Sequence, residues 1–165
     1  MKRPTPTAPG PGQESVWDYP RPPRLELSTE RLEIWLGGER IASTFRSLRV
    51  LETSHPPTYY LHESSFVAGS LSPAQGQSWC EWRGQARYFD VHGGGRVARR
   101  AAWTYPEPTA AFAELRDHVA VMPAQMDRCT VDGETVVPQQ GGFYGGWITS
   151  KVVGPFKGEA SSLGW

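Results

Sequence analysis

The chain has little cysteine, little charge and no long apolar run. Its 165 residues include two cysteines, too few for a disulfide framework or a four-cysteine zinc site. Basic and acidic side chains balance at 17 each, whereas a general nucleic-acid binder usually carries net positive charge. No stretch approaches the roughly 20 consecutive apolar residues of a membrane-spanning helix. The sequence therefore predicts neither a nucleic-acid nor a membrane partner.

Several catalytic and targeting motifs are also missing. The sequence contains no phosphate-binding loop ending in Gly-Lys-Ser/Thr, no G-x-S-x-G elbow and no HExxH zinc motif. Its first residues, MKRPTPTAPGPGQ, lack the apolar core of a secretory signal. We therefore expect a cytoplasmic protein that has reduced thiols, no metal and no cofactor, and that is a monomer or a homodimer.

Glycine, proline and aromatic residues are abundant. The chain holds 18 Gly, 15 Pro, 7 Trp, 6 Tyr and 6 Phe, which disfavours long helices and excludes full disorder. Residues 1–14 are rich in proline and almost free of apolar side chains, so a disordered arm is predicted there. Residues 15–165 are predicted to form one β domain. Its N-terminal strap lays Trp17 and Tyr19 onto the body, and its C-terminal Gly/aromatic residues form a clasp.

Alternating apolar and polar residues on either side of turn dipeptides predict β-hairpins. Three are expected, with turns at Gly37-Gly38, Gly93-Gly94-Gly95 and Asp132-Gly133. In the first, Leu32, Ile34 and Leu36 should share one face. The one helical pattern runs from Thr109, a candidate N-cap, to about His118. The expected fold is all-β with one short helix, as a sandwich or half-open barrel.

A first candidate site is LETSHPPTYYL at residues 51–61. His55 is a candidate general acid or base, because its ordinary pKa is about 6.5. Glu52 is placed to orient it, and Tyr59 or Tyr60 to bind a ligand or donate a proton. The alternative is that the polar residues cap a turn and the tyrosines are half-buried strand residues.

A second candidate site is SWCEWRGQARYFDV at residues 78–91, which contains the CEWRG segment at residues 80–84. Strand-like alternation would put Cys80 and Trp82 on one face and Glu81 and Arg83 on the other, with Gly84 permitting a bulge. The Arg83 guanidinium is a candidate anion binder. The Cys80 thiol is a nucleophile only if its pKa is lowered. A buried, inert cysteine is the alternative.

A third candidate site is AAWTYPEP at residues 101–108. Trp103 and Tyr105 should project to one strand face, with Tyr88 across the hairpin. Together with Trp82 and a tyrosine of the first site, they would form an aromatic pocket. The alternative is an aromatic core face.

Five segments of the sequence, in this order and spacing, carry a resemblance to a known family. They are LRVLETSHPPTYYL, CEWRGQARYFDV, AAWTYPEP, DHVAVMP and GGFYGGWITSKVVGPFKG. Over residues 15–160 the chain resembles the bacterial and fungal domain-of-unknown-function family 427, and its actinobacterial members most closely. The resemblance implies a small, mostly β protein with two antiparallel sheets in a tent-like arrangement. The family pattern carries over to Glu52, Ser54, Tyr60, Cys80, Gly84, Ala86, Tyr88, Trp103, Tyr105 and Pro106.

The family is also catalogued under a nucleotidyltransferase-like label. That label implies a metal-binding pair of carboxylates near a Gly-Ser motif, and the sequence shows no such pair. Related tent-like domains join their sheets through four zinc-binding cysteines, whereas this chain has two cysteines and so is expected to lack structural zinc.

Three functions remain open. The leading one is a small-molecule-binding module whose pocket is lined by Tyr60, Trp82, Arg83, Tyr88, Trp103 and Tyr105. The second is a small enzyme with acid–base or nucleophilic chemistry, and its catalytic candidates are Glu52, His55 and Cys80. The third is a protein-interaction domain that uses the Pro-rich arm and an exposed patch over Phe143, Tyr144 and Trp147.

Overall fold

The computed structural model of the protein describes residues 3–158, 162 and 165. Residues 1 and 2 of the predicted arm, and residues 159–161, 163 and 164 of the predicted clasp, lie outside the described residues. The strands are β1 (Glu14–Ser15), β2 (Arg24–Ser28), β3 (Leu32–Leu36), β4 (Glu39–Thr44), β5 (Ser47–Leu51), β6 (Thr58–His62), β7 (Leu71–Cys80), β8 (Gly84–Gly93), β9 (Arg96–Thr104), β10 (His118–Val121), β11 (Arg128–Val131), β12 (Glu134–Thr135), β13 (Val137–Pro138), β14 (Trp147–Ile148) and β15 (Val152–Val153). Short 3-10 helices cover Val16–Asp18, Glu63–Ser65, Ala110–Leu115 and Pro123–Gln125.

All three predicted hairpins are present. Strand β3 pairs with β4, β8 with β9 and β11 with β12, in each case antiparallel. The two residues at the tip of each turn have positive φ, which favours Gly-Gly and Asp-Gly in tight hairpins. Leu32, Ile34 and Leu36 are fully buried, as their shared face predicted.

Two larger antiparallel sheets form the body of the fold. One has seven strands in the order β2-β5-β6-β10-β9-β8-β7, and the other has four in the order β12-β11-β3-β4. Two small sheets join terminal segments, β13 with β14 antiparallel and β1 with β15 parallel. The mostly β fold with antiparallel sheets is thus confirmed. The larger sheet is open, with β2 and β7 at its edges.

The two faces of the seven-stranded sheet belong to different cores, because successive side chains of a strand point to opposite faces. Tyr59 and Leu61 of β6 pack with Ile34 in the core shared with the four-stranded sheet. Tyr60 points the other way and packs with Leu115 in a second core. This second face carries the candidate site.

The helix predicted at residues 109–118 is a short 3-10 helix, Ala110–Leu115. Thr109 is the N-cap residue, as predicted, but its hydroxyl donates to the Trp82 carbonyl and makes no capping hydrogen bond. The predicted C-terminal end is wrong, because the helix ends at Leu115. His118 begins β10, where it pairs with a neighbouring strand. None of the helices in the described part of the chain is long and apolar enough to cross a membrane.

Residues of the predicted N-terminal strap contact the rest of the chain. The Trp17 indole N–H donates to the Pro155 carbonyl at 2.9 Å, and Tyr19 is buried. Residues 3–13 contain no helix or strand. The disorder predicted for residues 1–14 and the limits of the β domain stay predictions.

Leu61→Ala should lower the free energy of unfolding by about 2–5 kcal/mol, because it leaves a void in the fully buried core between the larger sheets. Leu27→Ala is the matched control: Leu27 is 50% exposed, so a change within about 0.5 kcal/mol is expected. Urea unfolding followed by tryptophan fluorescence measures both variants. Equal losses would contradict this packing.

Candidate functional site

One cavity gathers the side chains that the sequence analysis singled out. Its volume is about 610 Å³, within the roughly 300–1,000 Å³ typical of small-molecule sites. Among its lining residues are Glu52, His55, Tyr60, Cys80, Trp82, Arg83, Tyr88, Trp103 and Tyr105. The structure therefore brings all nine candidates together, while their roles stay predictions.

Neighbouring strands build an aromatic wall. Tyr88 of β8 pairs directly with Trp103 of β9, and Ala120 of β10 pairs with Trp103 on the other side. Because Ala120 is small, the rings of Tyr60 and Trp103 meet across β10, with centroids 6.4 Å apart and planes at 89°. The Trp103 indole N–H donates to the Tyr60 hydroxyl at 3.2 Å. This edge-to-face contact and hydrogen bond orient both rings.

The CEWRG segment is a turn and not a continuous strand. Strand β7 ends at Cys80, which pairs with Gly84 at the start of β8, so the three residues between them form the turn. The predicted alternation is therefore wrong, because side chains in a turn do not alternate between two faces. Trp82 and Arg83 both line the cavity. Gly84 has a φ of 106°, a value that residues with a side chain rarely adopt.

The turn presents Arg83 to the cavity. The backbone N–H of Thr109 donates to the Arg83 carbonyl at 3.1 Å and anchors the turn. The Arg83 Nε–H donates to the Tyr105 hydroxyl at 3.4 Å, and the guanidinium carbon lies 5.8 Å from the centre of that ring. No carboxylate of the described residues lies within 4.0 Å of the guanidinium. Arg83 is thus a half-buried cation with no ion-pair partner in that part of the chain.

The cavity has more positive than negative side chains. Its cations are Arg83, Arg99, Arg100 and Lys157, and its carboxylates are Glu52 and Glu81. The Glu52 carboxylate also lies 3.7 Å from the Arg21 guanidinium. Burial raises the pKa of the Tyr60 and Tyr105 phenols above 10, so both hydroxyls stay neutral. The resulting potential favours an anion.

His55 lies within the cavity wall, with 17% of its side chain exposed. Its Nε2 is 3.9 Å from the Glu52 carboxylate, beyond hydrogen-bond distance, although both residues line the same cavity. Its Nδ1 is 3.1 Å from the Gln139 amide nitrogen. Burial, followed by the charges of Lys157 and two arginines, lowers the pKa of His55 to about 4. The imidazole is therefore neutral at physiological pH.

Sequence reasoning missed the part of the cavity that comes from Gln139, residues 142–145 and Lys157. Gly145 lies flat on Trp103, and a Cβ there would overlap the indole ring. The Tyr144 ring lies 5.2 Å from the His55 ring. The run GGFYGGW signalled close packing of rings on backbone, but local sequence does not indicate which distant strand it meets.

The three rings of this C-terminal run do not form one exposed patch. Phe143 is 95% exposed, Tyr144 is half-buried and Trp147 is 1% exposed. Trp147 packs in the core between the larger sheets, whereas Phe143 and Tyr144 line the cavity. The patch that the interaction hypothesis required is therefore absent at these three residues.

These features define a small, mostly β protein whose antiparallel sheets carry an aromatic, positively charged cavity. Within the described ranges, no group of three or more His, Cys, Asp or Glu side chains is placed to hold a metal ion. A family model described as a domain of unknown function, DUF427, matches residues 24–132, more than half of the chain. The protein belongs to this family, and its closer likeness to actinobacterial members stays a prediction. A comparison with curated proteins found no significant match.

Protonation of His55 should destabilise the fold. Its pKa of about 4 in the folded state lies below the ordinary value of 6.5, so the unfolded chain takes up the proton first as the pH falls. The stability present above pH 6.5 should be lost progressively down to about pH 4, by about 3 kcal/mol at most. His55→Gln should remove this component. Parallel stability curves for wild type and variant in urea unfolding across this pH range would contradict the assignment.

Gly145→Ala should displace the Trp103 ring, because the new methyl group overlaps it. We expect a loss of about 1–3 kcal/mol in the free energy of unfolding and an altered near-ultraviolet circular dichroism spectrum. Gly142→Ala is the matched control, since a Cβ there meets no atom within 4 Å. The same response from both variants would mean that Gly145 does not position Trp103.

Proposed function

We propose that this domain binds a small anion that has a planar aromatic part. The observation that carries the proposal is Arg83, a half-buried guanidinium in an aromatic cavity without a carboxylate partner among the described residues. Removing a charge from water is costly unless a counter-charge and hydrogen bonds replace the water. Carboxylate and phosphate groups both match the planar donor pattern of arginine.

The aromatic wall supports a flat ligand. Trp103 is half-buried and is held in position by its hydrogen bond to the buried Tyr60, so its exposed surface needs little reordering when a ligand binds. An aromatic ring packed against Trp103 gains about 0.5–1.5 kcal/mol beyond the effect of buried area alone. Tyr88 and Trp82 extend the same lining. The cavity thus offers an anion site and a ring site together.

The acid–base alternative has less support. The Glu52 carboxylate lies 3.7 Å from the Arg21 guanidinium, and this cation explains its position without a catalytic role. Cys80 is a half-buried free thiol at the end of β7. No observation in the cavity favours one reaction over binding.

The proposal names a small molecule as the partner, in place of a nucleic acid or a membrane, and requires no cofactor. It places binding in the cytoplasm, where the free thiols of Cys80 and Cys129 remain reduced. The ring and anion sites both lie within one chain, so a single chain is enough to bind the ligand. We propose that the protein is a monomer or a homodimer.

Tryptophan fluorescence titrations with benzoate, phenyl phosphate and benzamide test this proposal. Benzamide has the ring of benzoate without its charge, so at least one of the two anions should bind about tenfold or more tightly than benzamide. Arg83→Gln should abolish that preference and leave benzamide binding unchanged. Arg46→Gln, which alters an exposed arginine that does not line the cavity, is the matched control.

Two further comparisons complete the experiment. Acetate, which has the charge without the ring, should bind more weakly than benzoate, and the stronger of the two aromatic anions identifies the preferred acidic group. Benzamide binding as tightly as both anions, or an undiminished anion preference in Arg83→Gln, would overturn the proposal. So would the absence of saturable binding of both anions up to their solubility limits.

A further inference from the structure

The Gln139 side chain determines which nitrogen of His55 carries the proton. Gln139 is 5% exposed, and each end of its amide has a backbone partner. The Gly146 N–H donates to Oε1 at 3.2 Å, and Nε2 donates to the Lys157 carbonyl at 2.8 Å. A reversed amide would place two acceptors together at Lys157 and two donors together at Gly146, so its orientation is unambiguous.

The position of the proton on the His55 ring follows from its hydrogen bond with Gln139. The Gln139 amide nitrogen can only donate, so the His55 Nδ1 at 3.1 Å must accept and carry no proton. A neutral imidazole then has its proton on Nε2. The carboxylate nearest to Nε2 is that of Glu52 at 3.9 Å, and no acceptor in the described residues lies within hydrogen-bond distance. The Nε2–H is therefore an unused donor in the cavity wall.

The surroundings keep the ring neutral. Burial and the positive charges of Lys157, Arg21 and Arg83 disfavour the imidazolium and lower the pKa of His55. The Tyr144 ring packs beside the imidazole at 5.2 Å. Glu52 is the carboxylate that faces the ring, and it is shared with Arg21. At physiological pH the Nε2–H is thus available to a ligand as a neutral donor.

We propose that the ligand accepts a hydrogen bond from the Nε2–H of His55 through an atom separate from the anionic group at Arg83. This inference rests on the proposed function and narrows its ligand class to aryl carboxylates or aryl phosphates that carry a second, neutral acceptor such as a carbonyl oxygen. His55 is then a specificity-determining residue. Gln139 is a positioning residue, because it acts by setting the tautomer of His55.

The same geometry argues against His55 as a general base. A base needs a lone pair directed at the proton that it removes. Here the lone pair of Nδ1 is engaged by Gln139, and the remaining nitrogen already bears a proton. The imidazole thus favours ligands that present an acceptor and disfavours ligands that present a donor at that point.

Nitrogen-15 NMR of histidine-labelled protein tests the tautomer without any ligand. The wild type should show a protonated Nε2 and an unprotonated Nδ1 for His55. Gln139→Glu replaces the donor with a carboxylate that accepts from Nδ1–H, so the proton should move to Nδ1 or the ring should become doubly protonated. The signals of His62 and His118, which do not line the cavity, serve as internal controls. A proton on Nδ1 of the wild-type protein overturns the inference, whether or not the variant folds.

Ligand binding supplies the second test. Benzoates with an acetyl group at the ortho, meta or para position are compared with their isopropyl counterparts, which have a similar shape and no acceptor. At one position or more, the acetyl compound should bind about three- to tenfold more tightly. His55→Phe, which removes the Nε2–H donor, should remove this difference.

The two proposals fail in different ways. If wild-type protein prefers benzoate over benzamide but shows no acetyl preference at any position, the role of His55 is wrong and the anion site stands. An acetyl preference that persists in His55→Phe also overturns it. Loss of the benzoate preference in wild-type protein overturns the proposed function itself.

Discussion

The seven-stranded sheet has two apolar faces, and the need to cover both of them governs the rest of the structure. The four-stranded sheet covers one face, where Leu61 packs with Ile34. On the other face, Leu115 of the 3-10 helix packs with Tyr60, yet the helix is too short to cover the whole sheet. The remaining space is the aromatic cavity. The proposed ligand site is therefore the part of a sheet face that the chain leaves incompletely covered.

The chemistry of this cavity depends on segments that are far apart in the chain. Arg83 stands on a hairpin turn that is anchored by Thr109, and His55 lies in the connection between β5 and β6. These residues lie within the range matched by the family model, whereas Gln139 and Gly145 lie beyond it. The hydrogen bond from Gln139 to His55 and the contact of Gly145 with Trp103 thus join the family region to the C-terminal segment. Both contacts orient groups that would meet a ligand.

Much of the fold was predictable because hairpins are encoded locally. A Gly-Gly or Asp-Gly pair provides the positive φ that a tight turn requires, and the alternation of flanking residues assigns each face. The same reasoning failed at Cys80–Gly84, because no Gly-Gly or Asp-Gly pair marks the turn there. The alternation of side chains between two strand faces was therefore wrongly continued through the turn. Thr109 occupies the predicted N-cap position, but its hydroxyl bonds to the carbonyl of Trp82 in this distant turn rather than to its own helix.

The sequence by itself determined the strand-forming segments, the hairpin turns and the residue types available for a site, because these follow from backbone sterics and from which side chains avoid water. Only the tertiary structure decided that nine candidate residues share one cavity and that Arg83 has no carboxylate beside it in the described part of the chain. It also decided the tautomer of His55, through Gln139. Such properties depend on which distant groups lie within a few ångströms of each other, and local patterns carry no information about those distances.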